Sequence, residues 1–200
     1  MVRTGRPRKF CRDEAISQAM MLFWEHGFES TSLAQLKKAM GGISSASFYA
    51  AFESKDALFK EALDRYLATY GQVSTSLTNY SLSSRTAIEL ALRSSAIMQT
   101  EQTHPLGCLV IFSANTCSPE NTHIRELLIR QRAVTRNKFY ARIERATKNG
   151  ELQESTNISM LTTLFVTFLE GISTEARDGV SLDNIDAAIT KLMELWDTCA

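Results

Sequence analysis

Residues 42–55, Gly-Ile-Ser-Ser-Ala-Ser-Phe-Tyr-Ala-Ala-Phe-Glu-Ser-Lys, leave this chain little choice of local structure. Gly42 tolerates a positive φ at the end of a preceding helix. Ser44 is a good N-cap for a short helix, on which Phe48 and Phe52 fall four apart on one face and can bury. Ser45, Ala46, Ser47 and Ala50 then form a small, outward front. Ser54 caps a further helix, with Asp56 in its first turn where the helix dipole favours an anion. A helix with an apolar back and a bare front is poor core material and suits the major groove of DNA.

The residues ahead of this run complete a compact module. Ile16, Ala19, Met20 and Phe23 recur at helical spacing, and Gly27 is expected to stop their helix. Ser32 and Gln35 have the spacing of a capping box, and Leu33, Leu36 and Met40 form a second apolar stripe ending at Gly41-Gly42. The spacing predicts helices over 12–26, 32–40 and 45–52, the last two forming a helix-turn-helix. An N-terminal arm precedes them. Arg3, Arg6, Arg8, Lys9 and Arg12 occur there without a carboxylate, and Gly5 and Pro7 keep it extended, as suits a segment lying on phosphates or in a narrow minor groove. The bland reading of such an arm is a solubilising tail.

With these motifs on the page, the chain resembles the TetR/AcrR family of bacterial transcriptional repressors. The family pattern Gly-Val-Ser-x-x-x-Leu-Tyr-x-x-Phe-x-x-Lys is matched by Gly42, Ile43, Ser44, Phe48, Tyr49, Phe52 and Lys55. Gly41-Gly42 makes the turn one residue longer than the family's. The resemblance implies that Tyr49 and Lys55 contact phosphates and that Ser45, Ala46 and Ser47 face base edges. The expected DNA-facing set adds Arg6, Arg8 and Lys9 of the arm, and Thr31, Ser32 and Ser44 at or beside helix starts. Without an Arg, Asn or Gln on that front, phosphate contacts and DNA shape are expected to carry much of the affinity.

Charge and composition narrow the rest. The 200 residues carry no formal net charge, so the basic footprint is local to residues 1–12. No apolar run approaches a membrane span and the N-terminus lacks a signal-peptide core, so a cytoplasmic protein is expected. Cys11, Cys108, Cys117 and Cys199 are scattered, without zinc spacing, and read as reduced thiols. No nucleophile–base pair, carboxylate pair or metal cluster stands at a persuasive spacing, so neither an enzyme nor a cofactor is expected.

Past residue 54 the pattern is helical throughout. Ser74–Ser84 reads as a loop, Ser118-Pro119 as the start of a long helix running to Gly150, and two final helices span Ser159–Asp178 and Leu182–Thr198. The cations of the long helix, among them Arg130, Arg142 and Arg145, read as a solvated face. The fold class is therefore all-α. A basic arm and three-helix DNA-binding domain occupies residues 1–54, and a helical effector-binding and dimerisation domain occupies 55–200. Leu161, Phe165, Phe168, Ile185, Ile189, Leu192 and Trp196 are expected at a homodimer interface, since helices greasy on more than one side need a thick core or a partner. Tyr66, Tyr70, Met98, Phe112, Phe165 and Phe168 are candidates for a sensor pocket, with ordinary core packing as their bland reading. The resulting expectation is a dimeric repressor that leaves a palindromic double-stranded operator when a small-molecule effector binds. The alternative is an all-α ligand-binding or thiol/metal-sensing protein whose DNA binding depends on cysteine chemistry, with His104, Cys108, Cys117 and His123 as the groups to watch.

Overall fold

The computed structural model describes residues 10–115 and 117–200. They form α1 (Arg12–Ser30), α2 (Leu33–Ala39), α3 (Ser45–Phe52), α4 (Lys55–Ala68), α5 (Ser84–Thr100), α6 (Leu109–Asn115), α7 (Thr122–Lys148), α8 (Ile158–Arg177) and α9 (Leu182–Thr198). No strand occurs among the described residues. Six of the helix starts are set by side chains. Ser32, Ser44, Ser54, Ser83, Asn157 and Ser181 each accept a hydrogen bond from the amide three residues on. Each such cap is worth about 1 kcal/mol, which matters most for the short α2 and α3.

Four boundaries differ from the sequence expectation. Gly27 breaks α1 with φ 78° but does not end it, and helical turns resume to Ser30. α4 stops at Ala68 because Thr69 leaves the helical region and its hydroxyl turns back to the Arg65 carbonyl, 2.8 Å away. Ser74–Ser84 is not a simple loop. Tyr70–Thr78 winds as a 3-10 helix because Leu77 buries in the core while Ser76 Oγ donates to the Ala87 carbonyl at 2.8 Å. Ser118-Pro119 opens a short 3-10 turn, Pro119–Asn121, and α7 begins one turn later than expected.

Two apolar clusters hold the chain. The first joins α1, α2, α3, α4, α6 and the start of α7, around Phe23, Phe28, Phe48, Phe52, Phe59 and Leu128. The second joins α5, α8, α9 and the far half of α7, around Leu92, Phe139, Ile143, Phe165, Ile189 and Trp196. Burying each such side chain stabilises the fold by about 1.5–3 kcal/mol. Arg142 belongs to this interior and not to a solvated face. It is buried, and its Nη2 donates to the carbonyls of Asn79 and Leu82 at 2.9 and 2.7 Å, tying down the segment after the 3-10 helix.

A polar clamp joins the N-terminal helices to the larger body. Trp24 of α1 has 0% exposure. Its Nε1 donates to the Gly107 carbonyl at 3.0 Å, and its own carbonyl accepts from Arg177 Nη2 of α8 at 2.6 Å. His104 stacks on the indole with ring centroids 4.4 Å apart, and Tyr66 and Tyr70 meet it edge-on at 4.8 and 4.9 Å. Gly107 is confined in two ways. Its φ is +76°, and a Cβ there would lie 2.8 Å from the Ser173 carbonyl oxygen. Gly179 has a similar φ of +83° but open space around it. We expect Gly179→Ala to cost about 1 kcal/mol through backbone conformation alone, and Gly107→Ala to cost clearly more, about 3 kcal/mol or above. Thermal and urea unfolding of the two variants measures the difference, and equal losses would show that the close approach to Ser173 is unimportant.

Candidate nucleic-acid interface

The recognition unit is built from α2, the turn after it and α3. At the start of α2 Ser32 and Gln35 form the reciprocal capping box, and Leu36 anchors the helix in the first core. Gly41 and Gly42 follow with φ +87° and +77°, two successive conformations that L side chains rarely adopt. Their amides close the end of α2 on the Lys38 and Lys37 carbonyls, at 3.2 and 2.9 Å. The doubled glycine therefore serves to end one helix and redirect the chain within two residues. Ser44 then caps α3, accepting from the Ser47 amide at 3.1 Å.

Phe48 and Phe52 are buried on the back of α3, with ring centroids 5.6 Å apart. Ser45, Ala46, Ser47, Tyr49 and Ala50 are exposed on the front, Tyr49 at 51%. The small side chains leave a smooth ridge, with the amide end of a capped helix at one end and no acid in its first turn. Two of the hydroxyls are already engaged. Ser47 Oγ lies 3.0 Å from Ser44 Oγ, and Ser45 Oγ accepts from Lys37 Nζ at 2.8 Å. Lys37 was not singled out from the sequence. Only the folding of α2 against α3 brings its ammonium to the recognition surface, so no local spacing signals it. Lys38 beside it is exposed.

The other expected DNA-facing residues divide. Ser32 and Ser44 are exposed at their caps. Thr31 is a correction: it has 0% exposure and its hydroxyl donates to the Gly27 carbonyl at 2.6 Å, where it bridges the break in α1. Lys55 is half-buried at the start of α4, with Nζ 4.3 Å above the Phe28 ring and 3.5 Å from the Glu29 carbonyl, and burial lowers its pKa. Arg6, Arg8 and Lys9 lie outside the described residues. The root of the arm is visible, however: Phe10 meets the Phe52 ring edge-on at 6.2 Å, and the Arg12 guanidinium sits 5.1 Å from the same ring. Arg12 also pairs with Glu61 at 2.6 Å.

Away from α3, a partly open cavity lies between α4, the 3-10 segment, α5, α6, α7 and α8. Tyr66 and Met98 of the pocket candidates line it. The other four lie elsewhere. Tyr70 packs on Trp24 and His104, Phe112 lies 3.7 Å beneath the Arg177 guanidinium, Phe165 fills the second core beside Trp196, and Phe168 is half-buried on the outer side of α8. Helical spacing alone does not distinguish these environments.

The interface candidates separate just as sharply. Leu161, Phe165, Ile185, Ile189 and Trp196 are buried inside this one chain, whereas Phe168 and Leu192 remain partly exposed. An apolar face does run along the outside of α8 and α9, but it is made by Met160, Leu164, Phe168, Leu192 and Leu195, Met160 being 52% exposed.

The histidines and thiols are dispersed. His104 stacks on Trp24, and His123 Nε2 lies 2.6 Å from Asp56 Oδ2. Cys117 donates to the Ser113 carbonyl at 3.2 Å, and Cys108 Sγ accepts from the Tyr66 hydroxyl at 3.4 Å. Burial raises the pKa of both thiols, which keeps them protonated and weak as nucleophiles or metal ligands. No group of three or more His, Cys, Asp or Glu placed to hold a metal occurs among the described residues. No described helix is long and apolar enough to cross a membrane.

Comparison with known proteins places this architecture. Residues 15–62, which contain the helix-turn-helix, match the model for bacterial regulatory proteins of the tetR family. Over 193 residues the chain is 31% identical to the HTH-type transcriptional repressor ComR of Escherichia coli (strain K12), covering 96% of this chain and 91% of ComR. It is 26% identical to the repressor BdcR of the same strain, over 92% of this chain and 87% of BdcR. Among solved structures it is similar to the TetR family transcriptional regulator CifR, a cysteine mutant complexed with 26-bp double-strand operator DNA. That match has 36% identity and a TM-score of 0.87, covering 96% of this chain and 100% of CifR. With its helix-turn-helix matched by the family model and its sequence similar along nearly the whole length of such relatives, this chain belongs to the TetR family of bacterial regulatory proteins.

Proposed function

We propose that the protein is a cytoplasmic, homodimeric transcriptional repressor. It binds a palindromic double-stranded operator through α3 and leaves it when a small molecule enters the cavity beside α4. The carrying observation is α3 itself: both of its phenylalanines are buried and its small residues face outward. One eight-residue helix reads too few bases to specify a site. Two of them set about 34–36 Å apart in a two-fold dimer read successive turns of one groove face. The outer apolar face of α8 and α9, centred on Phe168 and Leu192, supports that dimer. In this reading residues 1–54 hold the DNA and residues 55–200 sense and dimerise; the similar regulator CifR was solved in complex with operator DNA.

Release follows from how α4 is held. Its first turn abuts the recognition unit, where Asp56 pairs with His123 of α7 and Glu29 accepts from Asn121 and Ser118 at 2.5 and 3.1 Å. Its later residue Tyr66 forms part of the cavity wall and touches Trp24. A ligand that fits the cavity only when α4 is tilted lowers DNA affinity by its preference for that arrangement, typically 1–3 kcal/mol or about 5- to 150-fold.

Two measurements test this reading. Phe168→Glu is expected to yield monomers by light scattering with unchanged helical content, and to weaken operator binding at least about tenfold because the second half-site is lost. A variant that stays dimeric would move the interface elsewhere. Operator affinity is expected to fall about 10³–10⁵-fold between 50 and 200 mM salt if 6–10 phosphates are contacted. Tyr49→Ala should weaken specific and non-specific DNA alike, and Ser45→Ala should change sequence preference. A flat salt response would overturn the phosphate-dominated account.

A further inference from the structure

Gln99, on the last turn of α5, lines the cavity and is only 3% exposed. Its Nε2 donates to Ser95 Oγ one turn earlier, at 2.6 Å, while its Oε1 has no hydrogen-bond partner. A buried amide oxygen left in this condition costs about 1–3 kcal/mol, and such groups are normally satisfied by protein, water or ligand. A half-turn of the amide exchanges the two ends: the Ser95 hydroxyl then donates to Oε1, and the NH₂ is left over. In either orientation one end of the amide remains open. A hydroxyl group serves either orientation, since it both donates and accepts.

The surroundings define the rest of such a ligand. The other uncharged polar residues on the cavity wall are Ser74, Ser95, Tyr66, Cys108, Gln131 and Thr135. Burial drives the Tyr66 phenol well above its ordinary pKa and raises that of the Cys108 thiol, so both stay neutral. Leu67, Met98, Val110, Ile111, Val166 and Leu169 supply apolar wall. Arg132 and Glu170, both partly exposed, add one charge of each sign, so the wall carries no net charge. A charged headgroup buried against Gln99 would lose its hydration without a counter-charge.

We infer that the cavity takes a small neutral alcohol with an apolar body, its hydroxyl bonded to the Gln99 side-chain amide. This deepens the effector reading and rests on it. The position also suits transmission. The Gln99 main-chain carbonyl accepts from the Gly107 amide at 2.9 Å, and the Gly107 carbonyl accepts from the Trp24 indole, so the ligand's anchor is two hydrogen bonds from α1.

The test uses the full chain and four probes of matched shape: 2-phenylethanol, propylbenzene, phenylacetate and phenethylammonium. Binding is measured by calorimetry and by Trp fluorescence, and operator release by gel shift. The expected result is that 2-phenylethanol binds at least about tenfold tighter than the other three, and that Gln99→Met removes this preference while keeping propylbenzene binding within about threefold. Equal binding of propylbenzene to the unaltered protein overturns the proposal without needing any variant to fold. Tighter binding of either ion does the same. If none of the four binds, water alone satisfies the amide and the proposal fails. Gln99-dependent alcohol binding that leaves the operator complex intact upholds the site and overturns the effector reading. Operator release by 2-phenylethanol that is unchanged in Gln99→Met upholds the effector reading and overturns the site.

Discussion

The burial of Trp24 governs how the two parts of this molecule communicate. An indole N–H sealed from water must find an acceptor, and the one it uses is the carbonyl of Gly107, in a segment belonging to the larger body. Arg177 reaches from α8 to the main-chain carbonyl of Trp24, and His104 covers the ring. The hydrogen bonds are directional and the rings close-packed, so α1 cannot shift against α8 without unsatisfying buried polar groups. That stiffness ties the cavity wall to the N-terminal helices, because Tyr66 and Gln99 are common to both environments.

The recognition surface follows a different economy. α3 is too short to be stable alone and is held by a cap at one end and two buried phenylalanines behind. Its front therefore needs to do no structural work and can remain small. The paired glycines before it allow the chain to reverse within two residues, keeping α2 and α3 close enough for Lys37 to reach Ser45. The cation that results on the reading face is a product of that approach. In the proposed DNA-bound state, that cation and Tyr49 would favour contacts to the backbone of DNA over direct reading of base edges.

The far end of the chain shows how a helix can be apolar on two sides for two reasons. In α8, Leu161 and Phe165 are buried in the second core, while Leu164 and Phe168 pack only partly covered against its edge and Met160 is exposed. A stripe drawn by spacing alone merges these sets, since residues three, four and seven apart lie within one broad face. The same merging affects the six candidates for the cavity, of which Tyr66 and Met98 line it and four do not.

Local chemistry was therefore legible from the residues alone: the all-helical class, the bounds of α3 and α9, the caps at Ser32, Ser44 and Ser54, and the inward turn of Phe48 and Phe52. Each depends on neighbours within four positions, where backbone geometry and side-chain type decide the outcome. Tertiary structure decided what depends on residues distant in the chain. Thr31 became a buried brace, Arg142 entered the interior because two carbonyls 60 and 63 positions away needed donors, and Leu77 pulled a polar stretch into a 3-10 helix. Which apolar side chains face the core, and which cavity residue keeps an unused amide, are set by close packing among helices. Periodicity narrows those choices to a face, and only the assembled interior selects the residue.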